Sequence, residues 1–155
     1  PEFYDTHAHL DFPDFREELA EVVQRAADAG ISRIVTIGTE QESSLRAIDL
    51  AKRFDGVFAA VGWHPNDCLA APDDVSAELA RLAKAPKVVA IGEVGIDHYR
   101  LPSTRGGSAA DDEEFKARQV ALFQQQLEVA AAGRLGHDRR DVVDDVALDG
   151  LQASP

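Results

Sequence analysis

The sequence predicts an α/β fold built on parallel strands, and three observations carry the prediction. Short β-rich runs alternate regularly with helical patterns, as in strands joined by crossover helices. The runs at 34–38, 57–62 and 88–93 are almost continuously apolar, as strands covered on both faces must be. Polar residues able to bear chemistry gather where the runs end, and sites in parallel α/β folds lie at the carboxyl ends of strands. Periodicity leaves two architectures open: a doubly wound open sheet and a (β/α)8 barrel.

Residues 3–7 form the first predicted strand. Asp14 caps the helix that follows, with Glu17 as its capping-box partner. Leu19, Val22, Val23, Ala26 and Ala27 make the buried stripe of that helix, and Gly30 suits its stop. After the second strand, 34–38, Thr39 with Glu42 opens a helix that turns Leu45, Ile48 and Ala51 inward. The third strand, 57–62, precedes a helix running from about Asp74 through Leu79 and Leu82. It must end before Pro86, because proline pushes its predecessor out of helical conformation. The fourth strand, 88–93, leads through a loop rich in Gly, Ser and Pro to a helix over 111–132. Phe115, Leu122, Phe123 and Leu127 of that helix are expected in the core.

At 155 residues the chain is long enough to bury a core, and its 45% apolar and 28% charged residues are an ordinary globular mixture. Acidic residues number 28 against 16 Lys and Arg, a net charge of −12 that argues against a broad basic face for nucleic acid. A single cysteine, Cys68, excludes an internal disulfide framework and a Cys-rich zinc module. No apolar run is long enough to span a membrane, and Pro1-Glu2-Phe3-Tyr4 shows no secretory leader. The expected compartment is the cytoplasm.

Two strand ends stand out chemically. His7 and His9, two apart at the end of the first strand, can point to one side and offer both imidazoles to one ion. Glu93 closes an apolar run, where a carboxylate needs a partner or a metal. Other residues invite plainer readings. Asp97 with Arg100 suggests a structural ion pair. His64, before Pro65, is more often structural than catalytic when taken alone. Cys68 lacks an activating neighbour and reads as an incidental thiol. Gly106-Gly107 lacks the strand context of a phosphate-binding fingerprint. His137-Asp138-Arg139-Arg140-Asp141 reads locally as charged surface.

Taken together, the blocks 3–11, 61–65 and 89–100, in this order and at these separations, resemble the TatD family of metal-dependent deoxyribonucleases, which are amidohydrolase-like (β/α)8 barrels. Residues 34–44 and the helix around Gln119–Gln126 also look like the family, so the resemblance covers about 1–132. It implies two divalent metal ions, Mg²⁺, Mn²⁺ or Zn²⁺, at the top of a barrel. His7 and His9 would bind one ion and Glu93, the catalytic carboxylate, would bridge both. His137 would be a further ligand, and His64 and Arg139 would contact a substrate phosphate. The implied substrate is a DNA end or single-stranded DNA, cleaved by phosphodiester hydrolysis.

The family pattern is interrupted after 132. An apolar strand should precede His137, yet only Leu135 of 131–136 suits it. A whole barrel takes about 250 residues, so the chain is expected to form one incomplete hydrolase domain over 1–155, with four units and a remnant. The absence of methionine favours segments missing from the sequence, a truncated gene product being the alternative. Two other functions fit the same blocks: hydrolysis of an amide or ester on the same scaffold, and an inactive fragment acting as a binding partner.

Overall fold

The computed structural model describes residues 2–133. Four parallel strands, β1 (Phe3–Ala8), β2 (Ile31–Ile37), β3 (Val57–Val61) and β4 (Val88–Ile91), lie side by side in chain order. This order separates the two architectures. A doubly wound sheet reverses direction at a switch point, whereas this sheet grows one way only, as successive barrel staves do. The fold is a partial (β/α) barrel.

One-way growth puts every crossover helix on the same face. These are α1 (Leu19–Asp28), α2 (Gln41–Arg53), α3 (Ser76–Leu82) and α4 (Ala109–Gly133). Ala59, Val61 and Val88 of the outer face pack against Ala47, Ile48 and Ala51 of α2, Leu79 and Leu82 of α3, and Val129 of α4. Ile34 and Val57 pack with Leu19 of α1 in a neighbouring cluster. The inner face carries larger and more polar groups. There the Arg33 guanidinium lies 5.3 Å from the Tyr4 ring centre, and the Lys87 ammonium lies 5.2 Å from that of Phe58. Lys87 Nζ also donates to the carbonyls of Ala51 and Phe54, each at 2.6 Å, so it closes the carboxyl end of α2. Among the described residues no helix is long and apolar enough to cross a membrane.

Several local expectations shift. Pro13 opens a 3₁₀ turn over Pro13–Phe15, and α1 begins only at Leu19, preceded by Glu18 with no side-chain cap. Asp14 is consumed inside that turn, so it caps nothing. Ala27 of α1 is exposed. The cap of α2 is Glu40 rather than Thr39, its carboxylate accepting the N–H groups of Glu42 and Ser43. Leu45 is 39% exposed, and Ser44 takes the buried position beside it. α3 starts at Ser76. In α4 Leu127 is exposed, and the buried stripe runs through Asp112, Phe115, Gln119, Leu122, Gln126 and Val129.

Candidate metal centre

The end of β1 is irregular. Asp5 pairs with Ile34 and Ala8 with Thr36, so β1 holds one more residue than β2 over this stretch. Such a bulge bends a strand and re-aims its side chains. His7 leaves the bulge with its N–H held by Asp5 Oδ1 at 3.0 Å. His9 follows just past the strand end, and its Nδ1 lies 3.2 Å from the carbonyl oxygen of Ile37. A carbonyl only accepts, so Nδ1 carries the proton and Nε2 presents its lone pair. The two rings meet edge-on with centroids 5.2 Å apart.

Glu93 arrives from the opposite edge of the sheet. It stands just beyond β4 with φ of 53°, a left-handed conformation that costs a side-chain-bearing residue about 1–2 kcal/mol. Its carboxylate oxygens lie 3.5 Å from His7 Nε2 and 3.5 Å from His9 Nε2. One donor atom from each of the three residues falls within 4.8 Å of the others. Glu93 Oε2 is buried and has no hydrogen-bond partner. A buried carboxylate oxygen without a donor is costly unless a cation neutralises it. Two imidazole lone pairs and one such oxygen suit a divalent ion.

His64 sits beyond β3, where its Nδ1 accepts the N–H of Asn66 at 3.0 Å and caps the turn Pro65–Asp67. The Asn66 amide donates to Asp97 Oδ2 at 2.9 Å, and Asp97 Oδ1 accepts the N–H of Tyr99 at 2.8 Å. The Tyr99 N–H first, then the Asn66 amide and the Arg100 charge, hold the Asp97 carboxyl below its ordinary range. Asp97 therefore ties two loops together. No ion pair with Arg100 forms among the described residues, because the Asp97 oxygens are committed to these donors. Cys68 is fully buried, and burial pushes its thiol up, which leaves it a core residue. His137 and Arg139 lie outside the described residues.

Two glutamines of α4, expected only as part of a family-like helix, hold the site loops. Gln126, 1% exposed, accepts the Trp63 N–H at 2.7 Å and donates to the Trp63 carbonyl at 2.9 Å. Gln119, fully buried, accepts the Asp97 N–H at 3.0 Å and donates to the carbonyls of Asp97 at 2.8 Å and Pro65 at 3.2 Å. The signal was their spacing: two turns apart on the buried stripe of one helix. Gly62 adds a steric condition, since a Cβ there would stand 2.5 Å from the Gly92 oxygen and 3.0 Å from Gln126 Oε1.

Comparison with known proteins gives one consistent result. The family model of TatD related DNases matches residues 4–135. The uncharacterized metal-dependent hydrolase YabD of Bacillus subtilis (strain 168) is 33% identical over 156 residues, covering 97% of this chain and 57% of its own. The 3'-5' ssDNA/RNA exonuclease TatD of Cronobacter turicensis is 35% identical over 129 residues, 83% of this chain and 45% of that one. The crystal structure of YjjV, a TatD homolog from Escherichia coli K12, superposes with a TM-score of 0.71 at 35% identity, covering 86% of this chain and 48% of that chain. The chain thus spans about half the length of the curated relatives it matches.

Proposed function

The chain belongs to the family of TatD-related DNases, and from that premise we propose that it carries part of the active site of a divalent-metal-dependent phosphodiester hydrolase. The reading treats 1–155 as one incomplete hydrolase domain acting, as an exonuclease, on DNA ends or single-stranded DNA in the cytoplasm. Support comes from the metal-dependent hydrolases and the ssDNA/RNA exonuclease among its relatives. The single observation that carries it is the orphaned Glu93 oxygen set against two imidazole nitrogens.

In this reading His7, His9, Glu93 and His137 would be the residues that hold two divalent ions. Mg²⁺, Mn²⁺ and Zn²⁺ all suit nitrogen and carboxylate donors. Such ions, when bound, lower the pKa of a water and stabilise charge on phosphoryl oxygens. His9 is oriented by Ile37, which keeps its lone pair inward. His64 accepts a hydrogen bond at Nδ1, so as a neutral ring it carries its proton on Nε2 and can donate to a phosphate oxygen. Arg139 supplies a second phosphate contact.

The test is release of mononucleotides from a 3′-labelled single-stranded oligonucleotide in Mg²⁺, Mn²⁺ or Zn²⁺. Metal-dependent release that Glu93→Gln abolishes is the expected result. Hydrolysis of acylated amino acids without strand cleavage would instead assign the amide hydrolase reading, and strand binding with no hydrolysis of either substrate would assign a binding role.

A further inference from the structure

Phe12 lies beside the proposed metal centre and takes no part in it. Its ring stacks on His9 with centroids 4.8 Å apart and planes 16° from parallel. One face is thereby covered, yet the residue remains 47% exposed. A half-exposed phenyl ring backed by an imidazole offers a flat apolar surface to another planar group. Stacking of bases on such rings is a common way to hold single strands without reading sequence.

Phe12 also forms one wall of a groove of 230 Å³ between the β1–α1 segment and α2, lined further by Arg16, Arg46 and Arg53, with Asp11 and Asp49. Its volume is below the roughly 300 Å³ at which pockets begin to enclose a whole small molecule. It therefore suits a piece of a longer chain. Its charges do not cancel. Asp11 Oδ2 takes two donors from Arg46, at 3.0 and 3.2 Å, and Asp49 pairs with Lys52 at 3.0 Å. Among the described residues, Arg16 and Arg53 have no carboxylate partner within 4.0 Å. Two guanidinium groups without a carboxylate partner, that of Arg53 resting 5.0 Å from the Phe54 ring centre, favour a polyanion here in a chain of net −12.

We propose that Phe12 and this groove form a holding subsite for single-stranded polynucleotide, a base stacked on Phe12 and a neighbouring phosphate between Arg16 and Arg53. The subsite rests on the nuclease reading and adds to it where the strand runs: from His9, over Phe12, towards α2. It explains how an acidic protein engages a strand without a broad basic face. A base stack and a phosphate contact are both indifferent to the sugar, so DNA and RNA strands should both be held.

The experiment is fluorescence anisotropy of 5′-labelled single-stranded DNA and RNA 12-mers in EDTA, where binding is read without cleavage. Phe12→Ala should weaken binding about 5- to 150-fold, the range for losing one stacked base, and Phe12→Trp should restore it. For the unmutated protein, a strand with abasic sites should lose a similar factor, which keeps the test free of folding effects. Arg16→Gln with Arg53→Gln should reduce the slope of log affinity against log salt by about 0.7, the share of the one phosphate they hold on a single strand. If the unmutated protein binds and cleaves strands but tolerates abasic sites and all of these variants, the subsite is wrong and the nuclease reading stands. Absence of strand binding and of metal-dependent cleavage overturns both.

Discussion

Glu93 combines two unfavourable features, a left-handed backbone and a buried carboxylate oxygen with no donor. Strain of this kind persists where function demands it. Glu93→Asn tests the trade directly, since asparagine tolerates the left-handed region and carries no charge. It should raise stability in EDTA by about 1 kcal/mol, measured by chemical denaturation, while abolishing metal-dependent cleavage. Asp97 makes the opposite case, a carboxylate well provided with donors. The Tyr99 N–H first, and the Asn66 amide after it, lower its pKa in the folded state. Its contribution to stability is therefore fully present above the unfolded value near 3.9 and is lost as pH falls through the lower folded value. Asp97→Asn should remove that acid-side loss from denaturation curves recorded between about pH 2 and 6, and change their neutral slope little.

α4 acts on the site through two glutamines rather than through apolar contact alone. Gln126→Leu would strip both hydrogen bonds from the half-buried backbone of Trp63. Each backbone group left unpaired costs about 1–3 kcal/mol when buried; both are half-buried here, so the loss should lie in the lower part of the summed range, about 2–4 kcal/mol. Trp63 is the one tryptophan in the sequence, so its fluorescence reports the displacement of that loop in the same experiment. This clamp also shows where reading the sequence stops. The strands were legible as short, almost continuously apolar runs, and the helices because apolar residues recur at spacings of three and four. Their ends were less so: Thr39 and Glu40 are both able to cap α2, and only the backbone path decides between them. The clamp was illegible for a different reason. Gln126 and Trp63 are 63 residues apart, and no local rule pairs a helix glutamine with a distant loop. Likewise His7, His9 and Glu93 were legible as candidates, but their convergence depends on β1 and β4 standing at opposite edges of one curved sheet.

At the scale of the molecule, helices cover one face of the sheet. The other face, with Tyr4, Arg33 and Phe58, is what a complete barrel encloses. Among the described residues, β1 and β4 each have one edge without a strand neighbour. Open edges and a partly apolar face promote association. The 155-residue chain by itself should therefore sediment above its 16.8 kDa monomer mass, increasingly so with concentration. A monomer at all concentrations would mean that the inner face and edges are covered from within the chain. The 155 residues span about half the length of the matched relatives and bring one cluster of donors together. That cluster is the central claim, and isothermal titration with Mn²⁺ addresses it most directly. The protein should bind the ion, and Glu93→Gln should weaken binding by more than about 100-fold, beyond what loss of an outer-shell partner costs, with a thermal melt in EDTA no lower than that of the unmutated protein. Equal Mn²⁺ affinity in the two proteins, or none in either, would contradict the assignment of His7, His9 and Glu93 as a metal centre.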